Sequence, residues 1–152
     1  MRKRWVWGML LIVLVTMVII GCEGSAEDDP YGAEAVIRDY YRGLSNKDLT
    51  ALQELHRNPL RNHMYSDILA GLNHVELLRI REDREGKTAF MEGSRGKEFS
   101  PENIRVFEVQ GEFDYQNYAS LYYRNGVQSR RVVLVREDAD SPWLIEDIRW
   151  LS

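Results

Sequence analysis

Apolar positions along the chain follow three successive rhythms. The first is an almost unbroken run from Trp5 to Ile20. The second has helical spacing. Ala35, Val36, Tyr40 and Leu44 recur on one face, with Ala33, Ile37 and Tyr41 widening the stripe, and predict a helix over about Tyr31 to Leu44. Leu49, Leu52 and Leu55 predict a second helix over about Lys47 to Arg57, with Ser45 or Asn46 as its cap and Asp48 in its first turn, where negative charge is favoured. Pro59 interrupts it, and Leu60, Met64, Ile68 and Leu72 predict a third helix over Leu60 to Leu72.

After Asn73 the period shortens towards two. His74 to Arg81 reads as a strand, Glu85-Gly86 as a turn, and Lys87 to Glu92 as a return strand. Gly93 to Pro101 reads as a loop. Ile104 to Gln116 reads as a long strand, with Phe107, Val109, Phe113 and Tyr115 on one side and Gly111 marking a bulge or bend. Asn117 to Arg124 and Gln128 to Glu137 flank Asn125-Gly126, a strong hairpin signal. Trp143 to Trp150 closes the series. Helices first and strands after predict an α+β fold: three N-terminal helices packed on a curved antiparallel sheet of about six strands.

The opening run has basic residues before it (Arg2-Lys3-Arg4) and Gly21-Cys22 at its exit, the layout of a secretory signal. Trp5 to Gly21 would span about 25 Å as a helix, slightly short of the roughly 30 Å hydrocarbon core. Acidic residues follow it, which directs the rest of the chain out of the cytoplasm. Ile19-Ile20-Gly21-Cys22 resembles the lipobox of bacterial lipoproteins. That resemblance implies cleavage after Gly21, a diacylglyceryl group on the Cys22 sulfur and two acyl chains, enough for a stable anchor. A plain single-pass anchor and an unlipidated secreted form are the alternatives, and both keep the domain outside the cytoplasm. Residues 1–21 are then the signal peptide, 22–30 a flexible acidic tether, and 31–152 the domain.

Cys22 is the one cysteine, so no disulfide within the chain is available and stability rests on packing. The chain carries 20 Lys+Arg against 24 Asp+Glu, and three of the basic residues stand in the first four positions. The remainder is therefore more acidic than the whole. That argues against nucleic acid and against electrostatic docking on anionic lipid.

Three stretches resemble the NTF2-like (cystatin-like, cone-shaped) superfamily. They are Ala35 to Leu44 as its opening helix, Asn46-Lys47-Asp48 with Leu49, Leu52 and Leu55 as the start of its second, and Val132 to Asp138 with Trp143 to Ile148 as its closing hairpin. The resemblance implies a sheet curled into a cone, with the first helix across its open side and a pocket between them. It hosts catalysis in some members, ligand binding in others and only packing in many.

Asp39, Tyr40, His56, His63 and Tyr65 are the polar residues on the helices that could face such a pocket, and Tyr122 is a candidate from the strands. Asp39 stands beside the apolar stripe, which favours a solvated role. His56 and His63 are separated by Pro59, and no His-x-x-x-His or cysteine partner accompanies them, so no metal and no cofactor is expected. Tyr115, Tyr118, Tyr122 and Tyr123, with Phe107 and Phe113, read first as sheet packing and second as a binding face. Arg130-Arg131 reads as cross-strand pairing with Glu or Asp. Trp143 and Trp150, an odd number of residues apart, are expected on opposite faces.

The function expected is that of a membrane-anchored extracytoplasmic lipoprotein, non-catalytic, binding a small ligand in the cone or an envelope protein on its sheet face. The alternatives are a proton-transfer pocket enzyme of isomerase, cyclase or dehydratase type and an interaction module that forms a homodimer through the sheet face.

Overall fold

The computed structural model describes residues 32–60, 62–116 and 124–151, the side chains of 62–64 excepted. The fold is α+β. Helices α1 (Ala33–Asn46), α2 (Leu49–Glu54) and α3 (Asn62–Gly71) precede strand β1 (Leu72–Glu82); helix α4 (Arg84–Glu92) follows it, and strands β2 (Ile104–Tyr115), β3 (Gly126–Val135) and β4 (Leu144–Trp150) complete the chain. The strands form one antiparallel meander in the order β1-β2-β3-β4.

Helix α1 buries Ala33, Ile37, Tyr40, Tyr41 and Leu44, a stripe of helical period. It runs two residues past Leu44 and stops where Lys47 turns left-handed, at φ 54°. The Asp48 side chain then accepts the Ala51 N–H at 3.0 Å and caps α2, a role the sequence pattern gave to Ser45 or Asn46. Leu52 and Leu69 join the α1 stripe against Phe107, Val109, Phe113, Val132, Leu134 and Ile145. This is the main core, between α1–α3 and one face of the sheet.

The other face carries a smaller core of Ile104, Val106, Val133 and Val135, covered in part by Phe90, Met91 and Phe99. Here the structure corrects the sequence reading. The expected return strand over Lys87 to Glu92 is part of α4. The Asp83 carboxylate accepts the Gly86 N–H at 2.7 Å, and its carbonyl accepts the Lys87 N–H at 2.9 Å, so a cap decides the segment. Four strands stand among the described residues, against about six expected; of the Asn117 to Arg124 strand, residues 117–123 lie outside them.

Three irregularities bend the sheet. In β1, the register slips between Leu72 and His74 and between Leu77 and Arg79, the latter opposite Gly111. Gly111 has no side chain because a Cβ there would lie 2.6 Å from the Tyr41 ring. In β4 the slip falls at Glu146, where Ile145 pairs with Leu134 but Asp147 with Val133. The Glu146 side chain, 3% exposed, takes Arg57 at 3.4 Å and Arg95 at 3.3 Å. Gly126, at φ 93°, opens β3, and the Asn125 side chain closes on the backbone of Tyr115.

Candidate functional site

Between α1, α3 and the sheet lies a cavity of about 180 Å³. Helix α1 gives it Tyr40 and Leu44, and α3 gives Tyr65 and Ile68. The sheet gives Tyr115, Arg130, Ile148 and Trp150, one or two from each of β2 to β4. The strand period explains this set. On β3, Arg130 alternates with Val132 and Leu134, so all three face the helices.

Arg130 is the unusual member. It is only 7% exposed. Its guanidinium lies 4.2 Å from the Phe113 ring centroid and 4.0 Å from that of Trp150, a cation held between two aromatic faces. It hydrogen-bonds the Tyr115 hydroxyl. Among the described residues no carboxylate pairs with it, and its Nε and Nη2 find no acceptor. A buried donor left bare costs about 1–3 kcal/mol, and more when charged. Charges inside proteins are ordinarily paired, and Arg130, a residue lining the cavity, departs from that rule.

The surrounding titrations follow from burial. Burial raises the Tyr115 hydroxyl, opposed by Arg130. It raises Tyr41 strongly, and the Tyr41 hydroxyl also has no partner among the described residues. His56 packs edge-on to Tyr40 and Tyr65 at centroid distances of 5.7 and 6.1 Å, behind the cavity wall. Burial lowers it, so its ring is neutral at pH 7, with Nδ1 donating to the Leu52 carbonyl at 2.8 Å.

The residues singled out from sequence are dispersed. Tyr40 and Tyr65 line the cavity. Asp39 does not: its half-exposed side chain pairs with Arg42 in solvent. The His63 side chain, Tyr122 and Cys22 lie outside the described residues. Arg131 pairs with Asp83 at 2.7 Å, an acidic partner as expected, although Asp83 stands at the N-cap of α4 and not on a neighbouring strand. Arg130, expected to pair across strands with Glu or Asp, does not do so among the described residues and lines the cavity instead. Its signal was strand parity with Val132 and Leu134. Trp143 and Trp150 both stand on the helix side, because the slip at Glu146 reverses the alternation between them.

A second hollow, of about 250 Å³, opens under α4 on the other face and is lined in part by Arg95, Arg131 and Arg149. Their charges are matched. Asp147 takes Arg95 at 2.8 Å and Arg149 at 2.6 Å, and Asp83 takes Arg131. It is a satisfied ion-pair network, and the cavity beside Arg130 is the better candidate site. Among the described residues no cluster of three or more His, Cys, Asp or Glu side chains could hold a metal ion, and no helix is long and apolar enough to cross a membrane.

No curated protein and no solved structure matches the chain. Residues 34–148, which take in nearly all of α1, strands β1 to β3 and most of β4, match a family described as a domain of unknown function, DUF4829, and the chain belongs to that family.

Proposed function

We propose that this chain is a lipid-anchored extracytoplasmic protein whose NTF2-like domain binds a small ligand and performs no chemistry on it. The observation that carries the reading is the cavity between helices and sheet, lined by aromatic and aliphatic side chains and by Arg130, a buried cation with no carboxylate partner among the described residues. Such apolar concavities with a few convergent polar groups are the usual form of small-molecule sites. The helix-over-sheet placement of the cavity agrees with a cone-shaped domain. The proton-transfer alternative would use a carboxylate or imidazole facing the ligand. Among the described residues Asp39 points to solvent and His56 stands behind the wall, which favours binding over catalysis.

The anchoring half of the proposal rests on Arg2-Lys3-Arg4, the apolar run and Gly21-Cys22. Cells fed a labelled fatty acid should label the wild-type chain and not Cys22→Ser; equal labelling would remove the lipid anchor. For the binding half, the full chain is released gently from membranes and weighed by native mass spectrometry. A co-purifying small-molecule mass, lost when Ile68→Trp fills the cavity, is the expected result. Retention of that mass in Ile68→Trp would place its binding elsewhere.

A further inference from the structure

The two edges of the sheet are finished differently. At β4 the segment after α2 covers the start of the edge: the Ile145 N–H donates to the Leu55 carbonyl at 2.8 Å, and the Ile145 carbonyl accepts the Arg57 N–H at 3.0 Å. Along β1 the outer edge has no backbone partner among the described residues. A strand of 11 residues left open in this way is a template for another strand. We infer that its partner is a second copy of this chain. The two β1 strands pair antiparallel about a twofold axis between Leu77 and Leu78, and two four-stranded sheets join edge to edge.

The strand matches itself in one particular register. Val75 opposes Ile80 of the second copy, Glu76 opposes Arg79, and Leu77 opposes Leu78. Opposed residues must share a face of the joined sheet. In a regular strand Val75 and Ile80, an odd number of residues apart, would lie on opposite faces. The extra residue at Leu78 removes that mismatch. Val75 stands opposite Phe113 and Ile80 opposite Val109, both on the helix side. Glu76 stands opposite Glu112 and Arg79 opposite Gln110, both on the α4 side. A bulge and charges on an edge ordinarily discourage pairing. Here the bulge gives the strand a register in which it complements itself.

The charges select the same register. Of the four charged residues in β1, Arg81 pairs with Glu108, and Glu82 pairs with Arg105 at 3.0 Å. Glu76 and Arg79 are exposed and have no ion-pair partner among the described residues. Within its own sheet Glu76 faces Glu112, and like charges directly across strands are destabilising. The joined sheet sets an arginine on the other side of Glu76, once in each copy. Leu78, 45% exposed, sits at the axis. The contact is one strand wide, smaller than the roughly 1,600 Å² of a standard stable interface, so the dimer is weak and forms where copies are concentrated.

Sedimentation equilibrium of the full chain in a neutral detergent, up to about 1 mM, tests this. Wild type should pass from monomer to dimer as concentration rises. Glu76→Arg opposes two positive charges at each contact, and Arg79→Glu opposes two negative ones. Each should weaken dimerisation by at least about tenfold, because both symmetry-related pairs turn from attraction to repulsion. The double variant Glu76→Arg/Arg79→Glu should recover it. An equimolar mixture of the two single variants should also dimerise, since each chain supplies the charge that the other lacks at both contacts. Recovery in the double variant and in the mixture separates a lost contact from a lost fold.

A wild-type chain that stays monomeric over the whole range would overturn the inference. A dimer indifferent to the single reversals would overturn it too, and would point to the sheet face or the N-terminal apolar run. Single variants that lose dimerisation with no recovery in the double variant or the mixture would overturn the register and with it the self-pairing of β1.

Discussion

Gly111→Ala tests how closely helix α1 is seated on the sheet. An added Cβ would stand 2.6 Å from both Cε1 and the hydroxyl oxygen of Tyr41, and 3.0 Å from the Phe113 ring. Carbon atoms pack best at about 3.5–4.0 Å, so the ring must retreat by roughly 1 Å. It has little room, because Tyr41 is 5% exposed and lies against Tyr40 and Phe113 at centroid distances of 5.9 and 6.0 Å. Overpacking of this kind costs about 1–3 kcal/mol. Replacing a strand glycine returns about 0.5–1 kcal/mol of backbone entropy. The net expectation is a loss of about 1–2 kcal/mol, or a drop in Tm of roughly 3–10 °C for a domain of this size. Urea unfolding of the full chain followed by circular dichroism measures it. Tyr41→Phe supplies the internal control. It removes one of the two 2.6 Å contacts and a buried hydroxyl without a partner, so alone it should be neutral or stabilising by about 1 kcal/mol. In that background Gly111→Ala should cost at least about 0.5 kcal/mol less. A neutral Gly111→Ala, or an equal cost in both backgrounds, would show that α1 does not rest on Gly111.

Two further outcomes follow from single groups. His56 has its pKa lowered by burial, so the unfolded chain takes up a proton before the folded one does. Stability from this group is complete above about pH 6.5 and is lost as pH falls below it towards the depressed folded value. Unfolding free energies measured from pH 7.5 to 5 should decline for wild type and decline less for His56→Gln; parallel curves would refute the assignment. Asp83→Ala removes both the α4 cap and the partner of Arg131, and should cost about 1–2 kcal/mol, with amide exchange rising first in residues 84–92. Although burial opposes it, the Gly86 N–H and Arg131 hold Asp83 below its usual range, so this contribution is present above about pH 4 and disappears in stronger acid.

Legibility in the sequence followed the range of the interactions. The α1 stripe and the β2 alternation are set by local spacing, and they were readable; Asn125-Gly126 was expected to join two strands, but Gly126 already lies in β3 opposite Phe113, and residues 117–123 of the strand expected before it lie outside the described residues. Residues 87–92 were not. Their apolar content fits a strand or a helix, and the choice fell to the Asp83 cap and to the apolar patch of β2 and β3 that Phe90 and Met91 cover. Of the cavity, Tyr40 and Tyr65 were visible because a helical stripe shows its flanks. Arg130 was hidden by its neighbour: an Arg-Arg pair on a strand reads as cross-strand pairing with Glu or Asp, and only the strand's parity separates Arg131, on the α4 side, from Arg130, on the helix side.

Trp150 was hidden for a different reason, and it gives the last test. Strict alternation from Trp143 would turn Trp150 to the α4 side, away from Arg130. The slip at Glu146 adds one residue and brings Ile148 and Trp150 back to the helix side, opposite Val132 and Arg130. Deleting Glu146 removes the extra residue and keeps both faces as they are. It also loses the bonds to Arg57 and Arg95, whose own side chains are partly exposed and can rehydrate, for a cost of roughly 1–2 kcal/mol. Deleting Arg149 instead removes a residue after the slip and turns Trp150 outward, uncovering the guanidinium. Tryptophan emission should stay near wild type in the first variant and shift to the red in the second. Matching behaviour of the two deletions would mean that the extra residue in β4 does not aim Trp150, and that the wall over Arg130 is held from elsewhere.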